Sequence, residues 1–363
     1  MNFITFENVK VREKYMQRCV ELAQKGLGKT YPNPLVGSVI VHDEKIIGEG
    51  WHQKAGTPHA EVNAINSVAD ETLLKKSTLY VNLEPCSHYG KTPPCSDLII
   101  AKGIKKVIIG IVDPFAAVSG RGIKKLLAAG CEVSVGMLED ECKHLNRRFL
   151  VFNQQKRPYI ILKWAQTKDG FIAPKHHNTG KPVWISGEES RQLVHKWRTE
   201  EQAILVGTNT VLKDNPKLDA RLWKGSNPVR VVLDREGKIP SDFHVLDGRT
   251  KSLILCENPK ENRNNLIYEP VDFKENLIAQ ICEILHRHHL QSLIVEGGSK
   301  TLQAFIDAGL WDEARIFTGK TLFKEGVKAP VFSGKPFLSQ KIGEDSLQIF
   351  FKKKHSETKL TRK

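Results

Sequence analysis

The chain has 363 residues, 40% hydrophobic and 26% charged, which is ordinary for a globular protein and long enough for two buried cores. A formal charge of +14 points to anionic partners, either nucleic acid or phosphorylated small molecules. No apolar run approaches the roughly 18 residues of a membrane span, no apolar leader follows the N-terminus, and the seven cysteines are too scattered for a disulfide scaffold, so a reducing cytoplasm is expected.

Apolar residues Tyr15, Met16, Cys19, Val20 and Ala23 recur at helical spacing and predict a helix over 11–25. Strand-like runs follow at 35–41 and 44–49. Thr57 is expected to cap a helix whose first position is Pro58, with His59 and Glu61 in its first turn and Val62, Ile65 and Val68/Ala69 on its apolar stripe. The strand 78–83 leads into Glu84-Pro85-Cys86, where Cys86 is expected to open a helical turn and gain from its dipole. A helix after Cys95, a strand at 106–112, a helix near 121–129, a strand at 131–135 and a helix at 138–152 complete the first half. This alternation predicts a largely parallel sheet with helices on both faces. Residues 154–158 read as a short polar connection closed by Pro158.

A second α/β unit starts at Tyr159, with strands expected at 159–165, 202–206, 229–233, 252–255, 292–296 and 314–318, and helices near 187–199, 274–288 and 299–309. The junction Val295-Glu296-Gly297-Gly298-Ser299 is a strand, a glycine pair and a helix start, a geometry that holds an anionic phosphate against backbone N–H groups. Glycines after a strand also make ordinary turns, and no G-x-G-x-x-G is present, so a Rossmann site is not supported. Lys352, Lys353, Lys354, Lys359, Arg362 and Lys363 crowd a basic tail expected to be disordered. The remaining charge, spread without interleaved aromatics, reads as solvated surface with a contribution from phosphate sites.

The strongest chemical signal is His59-Ala60-Glu61 followed by Pro85-Cys86 and Cys95. One imidazole and two thiolates plus water make a tetrahedral zinc site with an open position, and a carboxylate beside that position can move the water's proton to a leaving amine. The pattern H-x-E with P-C-x-x-C belongs to zinc deaminases, although here eight residues separate Cys86 from Cys95. His88, lying between them, is the rival fourth ligand of a closed, structural site.

With both halves read, the chain resembles the bifunctional riboflavin-biosynthesis deaminase–reductase family from about residue 11 to about residue 350. The strings are Tyr31-Pro32-Asn33-Pro34-Leu35-Val36-Gly37, Gly50-Trp51-His52, His59-Ala60-Glu61-Val62, Leu83-Glu84-Pro85-Cys86-Ser87-His88 and Thr92-Pro93-Pro94-Cys95. In the second half they are Leu162-Lys163-Trp164-Ala165, Asp169-Gly170, Trp184-Ile185-Ser186, Thr210-Val211-Leu212 with Asp214-Asn215-Pro216, and Val295-Glu296-Gly297-Gly298.

The resemblance implies an α/β chain with a cytidine-deaminase-like zinc domain over 1–150, a dihydrofolate-reductase-like NADPH domain over 158–351, and a basic tail over 352–363. It implies zinc-hydroxide deamination of diaminohydroxyphosphoribosylaminopyrimidine, then NADPH reduction of the ribosyl group of 5-amino-6-(5-phosphoribosylamino)uracil to ribityl. By the same resemblance His59, Cys86 and Cys95 hold Zn2+ and Glu61 shuttles protons, with Asn33 and His52 lining the pocket. Cofactor contacts fall on Ala165, Trp184, Thr210, Asp214, Gly298, Ser299, Lys300, Thr301 and Leu302. Substrate contacts fall on Arg198, Leu218, Arg221 and Glu296, and Lys163 is an electrostatic helper near the ribose. The expected partner is a phosphorylated pyrimidine, with neither nucleic acid nor membrane, acting in a cytoplasmic homo-oligomer (dimer or tetramer).

Three positions depart from the family pattern: Phe115-Ala116 after Asp113-Pro114, Pro182 ahead of Trp184, and Arg235 after Leu233-Asp234, where serine is frequent. Arg235 either reaches the extra phosphate of NADPH or is a solvent-facing loop charge. The alternatives to the bifunctional reading are a tRNA deaminase with an accessory domain, and a deaminase whose reductase half is only structural.

Overall fold

The computed structural model describes residues 6–89, 93–114, 119–176 and 183–352. Phe115, Ala116, Pro182 and all of the basic tail except Lys352 lie outside them. The chain forms two compact units that part between Gln155 and Lys156.

The first unit contains helices α1 (Phe6–Gln24), α2 (Ala60–Asn66), α3 (Cys95–Ala101), α4 (Arg121–Ala128), α5 (Glu139–Leu145) and α6 (Arg147–Gln155), with strands β1 (Gly37–His42), β2 (Lys45–Trp51), β3 (Thr78–Leu83), β4 (Lys106–Ile111) and β5 (Glu132–Val135). Their order in the sheet is β2-β1-β3-β4-β5. Period-two alternation splits the strands between two cores. Val39, Val41, Tyr80 and Ile108 pack with Met16, Cys19 and Leu22 of α1, whereas Ile40, Leu79, Val81, Val107 and Ile109 pack with Ile65, Ile99 and Leu126 of α2, α3 and α4.

The sheet is not largely parallel, as the β-α alternation predicted. β1 runs antiparallel to both β2 and β3, and only β3, β4 and β5 are mutually parallel. The cause is a two-residue hairpin, Asp43-Glu44, with φ of 46° and 61°. Positive φ at both central residues matches strand twist, and the turn was hidden because it lacks glycine. The expected helix 138–152 is two helices broken at Asn146, whose side chain is committed to the Leu35 backbone at 2.8 and 3.0 Å. The polar connection is also shorter than expected. α6 runs to Gln155, and Arg157 is clamped bidentately by Asp312 at 2.6 and 2.7 Å.

The second unit comprises β6 (Tyr159–Gln166), β7 (Phe171–Pro174), α7 (Glu188–Glu200), β8 (Ala203–Gly207), α8 (Thr208–Asp214), β9 (Val229–Leu233), β10 (Ser252–Cys256), β11 (Leu266–Pro270), α9 (Leu277–Arg287), β12 (Ser292–Val295), α10 (Ser299–Asp307), β13 (Glu313–Thr318), β14 (Gly326–Lys328), β15 (Leu338–Ile342) and β16 (Asp345–Phe351). Its main sheet has the order β11-β10-β9-β8-β12-β6-β13-β16-β15, and β14 pairs with β7 separately. The run from β11 to β13 is parallel, and most of its strands contribute apolar residues to cores on both faces. That burial explains their legibility as continuous Val/Ile/Leu runs. The antiparallel edge β15–β16, the short β7, β11 and β14, and helix α8 carried too little apolar periodicity to be expected. A parallel sheet gathers its ligand-facing loops at the carboxyl ends of the strands, and here those ends carry Ala165, Gly207, Asp234 and Glu296.

Candidate active sites

The first site forms where α2, α3 and the segment after β3 converge. His59 is the N-cap of α2, extended at φ −72° and ψ 167°, so the helix starts at Ala60 rather than Pro58. Thr57 does not cap it. Its hydroxyl donates to the Lys54 carbonyl at 2.7 Å and closes the preceding turn. Cys86 opens no helical turn either, because residues 84–87 are irregular and the helix begins at Cys95. The dipolar help expected for Cys86 comes from that other helix, whose first amide, Cys95 N–H, donates to Cys86 Sγ at 3.3 Å.

His59 Nδ1 lies 3.6 Å from Cys86 Sγ and 3.3 Å from Cys95 Sγ, and the three ligand atoms all fall within 4.8 Å of one another. Zinc at about 2.3 Å from sulfur and about 2.0 Å from nitrogen sets tetrahedral N–S edges of about 3.6 Å. The observed edges fit that ion. His88 is exposed and stands outside the cluster, so among the described residues no fourth protein ligand closes the corner. Glu61 is 3% exposed in the first turn of α2. Burial, reinforced by the Cys86 charge, pushes its carboxyl up to about 7, against the pull of His59. The hydrogen bond with Cys95 draws the Cys86 thiol down to about 4, and the same bond holds Cys95 well above its usual range.

His52 packs edge-on to His59 with ring centroids 5.4 Å apart. Its Nδ1 faces the Pro58 carbonyl at 3.2 Å, which only accepts, so Nε2 accepts from the Asn33 amide at 3.0 Å. Asn33 is held by the loop before β1, where two buried asparagines, Asn82 and Asn146, bond the backbone of Leu35 and Gly37.

Sequence reasoning missed Glu84. Its buried carboxylate accepts from four backbone N–H groups, those of Asp113, Gly120, Gly122 and Ile123, at 2.9 to 3.3 Å. It ties the start of α4 and the loop after β4 to the residue two before Cys86. Gly122 is required there, since a Cβ would strike the Pro85 carbonyl. Glu84→Gln keeps the size but removes the charge and puts an NH2 against N–H donors. We expect a loss of about 2 to 3 kcal/mol in urea denaturation. An unchanged midpoint would refute this clamp.

The second site is a cavity of about 1060 Å3 over the strand ends of the second unit. Ala165, Trp184, Thr210, Asp214, Gly298, Ser299, Lys300, Thr301 and Leu302 all line it, together with Lys163, Arg235 and Glu296. Lys213, Lys238 and the β7 residues Ile172 to Pro174 line it too and were not singled out from sequence. Gly298, at φ 53°, turns the chain into α10. Gly297 lets the turn sit against Val206 of β8, where a Cβ would collide with backbone.

Of the expected substrate residues, Glu296 alone is in the cavity wall. Arg198 reaches it from α7 at 2.8 and 3.3 Å and also donates to the Asp219 carbonyl at 2.9 Å. Arg221 is exposed and pairs with Asp219, and Leu218 is buried nearby at φ 51°, a conformation costly for a bulky residue. Burial opposes ionisation of Glu296, but the Arg198 and Lys163 charges prevail and hold its carboxyl at about 2. Burial pulls the Lys163 ammonium below its usual range, helped by Arg198 and opposed by Glu296. Arg235 lines the cavity rim with an exposed side chain that donates to Glu257 at 2.8 Å.

Residues 9–111 match the family described as cytidine and deoxycytidylate deaminase zinc-binding region, and residues 158–358 match the RibD C-terminal domain. The riboflavin biosynthesis protein RibD of Aquifex aeolicus is 41% identical over 88% of this chain and 89% of its own length. That of Bacillus amyloliquefaciens is 39% identical over 91% and 90%. The solved deaminase/reductase from Thermotoga maritima, titled diaminohydroxyphosphoribosylaminopyrimidine deaminase/5-amino-6-(5-phosphoribosylamino)uracil reductase, superposes with a TM-score of 0.85 at 38% identity, covering 94% of this chain and 98% of that one. Acinetobacter baumannii RibD gives 0.84 at 32% identity, covering 94% and 99%. Two domains of these kinds in this order, one with a His/Cys/Cys cluster, mean that the chain belongs to the RibD family, the bifunctional riboflavin-biosynthesis enzymes that join a zinc-dependent deaminase to an NADPH-dependent reductase.

Proposed function

We propose that residues 1–150 deaminate a diaminohydroxypyrimidine ribotide and that residues 158–351 then reduce the ribosylamino group of the resulting uracil to ribitylamino. The observation that carries this reading is the meeting of His59, Cys86 and Cys95 at tetrahedral edge lengths with Glu61 buried beside them.

His59, Cys86 and Cys95 would hold zinc, which when bound supplies a Lewis acid that makes water nucleophilic near neutral pH. Glu61 receives the proton of the attacking water and returns it to the departing amine, so water enters and ammonia leaves with no net proton change. Asn33 and His52, locked to each other, orient the pyrimidine edge. In the second cavity the residues from Gly298 to Leu302 cradle the cofactor diphosphate, with Ala165, Trp184, Thr210 and Asp214 shaping the wall. NADPH supplies the hydride, and the protein's part is orientation. Glu296 and Lys163 face the ribose. Arg198, committed to Glu296 and to the Asp219 carbonyl, contributes by fixing that carboxylate, while Leu218 and the exposed Arg221, outside the cavity wall, would meet the phosphorylated end of the substrate.

The test supplies the diaminopyrimidine ribotide with and without NADPH and follows ammonia and cofactor absorbance together. Ammonia release without NADPH, and NADPH consumption only after it, is the expected result. Chelation should stop ammonia release, with zinc restoring it, while NADPH oxidation continues on substrate already deaminated. NADPH consumption with no ammonia from zinc-loaded protein would overturn the assignment. A tRNA deaminase is not favoured, because the second half matches a reductase domain.

Exposed Phe337 and Leu338 at the outer edge strand β15 support self-association as a dimer or tetramer, which light scattering of the purified chain measures. A cytoplasmic setting is supported by seven free thiols, and a cell fractionation tests it. Among the described residues no helix is long and apolar enough to cross a membrane.

A further inference from the structure

We propose that His195 is a substrate contact of the reductase site, donating a hydrogen bond across from Arg221 to the phosphate of the ribotide. This rests on the reductase reading above and names a group that recognises the charged end of its substrate.

Helix α7 carries Arg191, His195 and Arg198 on one stripe, at helical spacings of four and three residues. Both flanking members of the stripe touch the cavity wall. The Arg191 guanidinium lies 4.5 Å from the centroid of the Trp184 ring, and Arg198 donates to Glu296 at 2.8 and 3.3 Å. His195 therefore stands between two wall contacts, on the side of α7 that faces the cavity. The chain from Asp219 to Gly225 runs along the same helix. Arg198 reaches the Asp219 carbonyl at 2.9 Å, Lys196 lies 5.7 Å from the Trp223 ring, and a Cβ at Gly225 would strike Thr199. Arg221 is carried on that stretch and is exposed.

The His195 imidazole is 5% exposed, yet neither ring nitrogen has a hydrogen bond among the described residues, and Nδ1 is fully buried. Buried polar side chains are nearly always paired, so an unpaired one beside a cavity wants an explanation in function. Burial, joined by the Arg198 and Arg221 charges, pulls the ring down to about 4 against Asp219 and Glu296, so it is neutral near pH 7. A neutral ring has one proton, and with no acceptor at Nδ1 that proton belongs on Nε2, a donor left for an incoming group. Arg198 is already spent on Glu296 and Asp219, whereas Arg221 meets Asp219 through Nη1 alone. Three guanidinium groups, those of Arg191, Arg198 and Arg221, surround the imidazole against the carboxylates of Asp219 and Glu296, which favours an anion there. A phosphate between His195 and Arg221 takes one neutral N–H and one guanidinium edge.

The test follows NADPH oxidation by the zinc-loaded full chain on the ribotide it has deaminated, with ribose 5-phosphate as competitor. His195→Leu should raise KM for the ribotide about tenfold or more and weaken ribose 5-phosphate in proportion, with kcat changed by less than about twofold, as expected for a lost hydrogen bond to a charged group. His195→Gln, which keeps an N–H donor, should recover most of that loss. NADP+ affinity, read from quenching of tryptophan fluorescence, should be the same in both variants and wild type. Because Nδ1 has no partner to lose, His195→Leu should also unfold in urea at or above the wild-type midpoint. An unchanged KM, a Gln variant as impaired as the Leu variant, equal weakening of NADP+, or a Leu variant that does not fold overturns the assignment. A wild-type chain that consumes no NADPH on the deaminated ribotide overturns the reductase reading itself, and this inference with it.

Discussion

Glu61→Gln should abolish ammonia release while zinc stays bound. The carboxylate is 3% exposed and sits two residues beyond the His59 N-cap, yet it belongs to no ligand set, because His59, Cys86 and Cys95 form the cluster without it. A carboxamide has nearly the same volume, so packing in the first turn of α2 survives. It cannot accept a proton from water or deliver one to an amine. Loss of a positioned general acid–base costs about 10² to 10⁴ in rate, and here one group serves both half-steps, so the upper end is expected. Metal analysis should return one zinc per chain in variant and wild type alike. Full deaminase turnover in the zinc-loaded variant would remove Glu61 from the role of proton carrier, and loss of zinc would instead make it a ligand.

The second large effect is expected in the reductase half. Glu296 neutralises Arg198 at 2.8 Å and stands near Lys163, with side-chain exposures of 10% for Glu296 and 12% for Arg198. Glu296→Gln leaves the Arg198 and Lys163 cations without their shared buried counter-charge, and removing one partner of a buried pair costs about 3 to 5 kcal/mol. NADPH oxidation should fall with it, since Glu296 lines the cofactor cavity.

The pH dependence has a defined sign. The folded carboxyl lies at about 2, below its ordinary value of 4.5, so the stabilisation is present above pH 4.5 and drains away as pH falls towards 2. The stability gap between wild type and Glu296→Gln in urea denaturation should therefore be full near neutrality and narrow below pH 4.5. A gap that is absent, or that widens on acidification, would show that the pair does not operate as described.

Legibility in the sequence tracked how local the physics was. The parallel strands β6, β8, β9, β10 and β12 were readable because each is packed on both faces and is therefore apolar at most of its positions. The outer strands β14 and β15 were not, because their exposed positions leave no alternation to detect. The Asp43-Glu44 hairpin escaped because its residues adopt positive φ without glycine, and missing it turned a mixed sheet into an expected parallel one.

By itself the sequence determined the chemistry: which side chains donate nitrogen, sulfur and carboxylate, and in what order two domains follow. Residue types and spacings are covalent facts, and zinc and phosphate chemistry tolerate few substitutes. Only the tertiary structure decided that His59 caps a helix instead of joining it, that Cys86 draws its amide from a helix beginning nine residues later, and that Glu84 binds the start of α4. Those outcomes depend on which distant backbone groups remain unpaired once the sheet has formed, and a buried N–H takes whatever acceptor the fold brings to it.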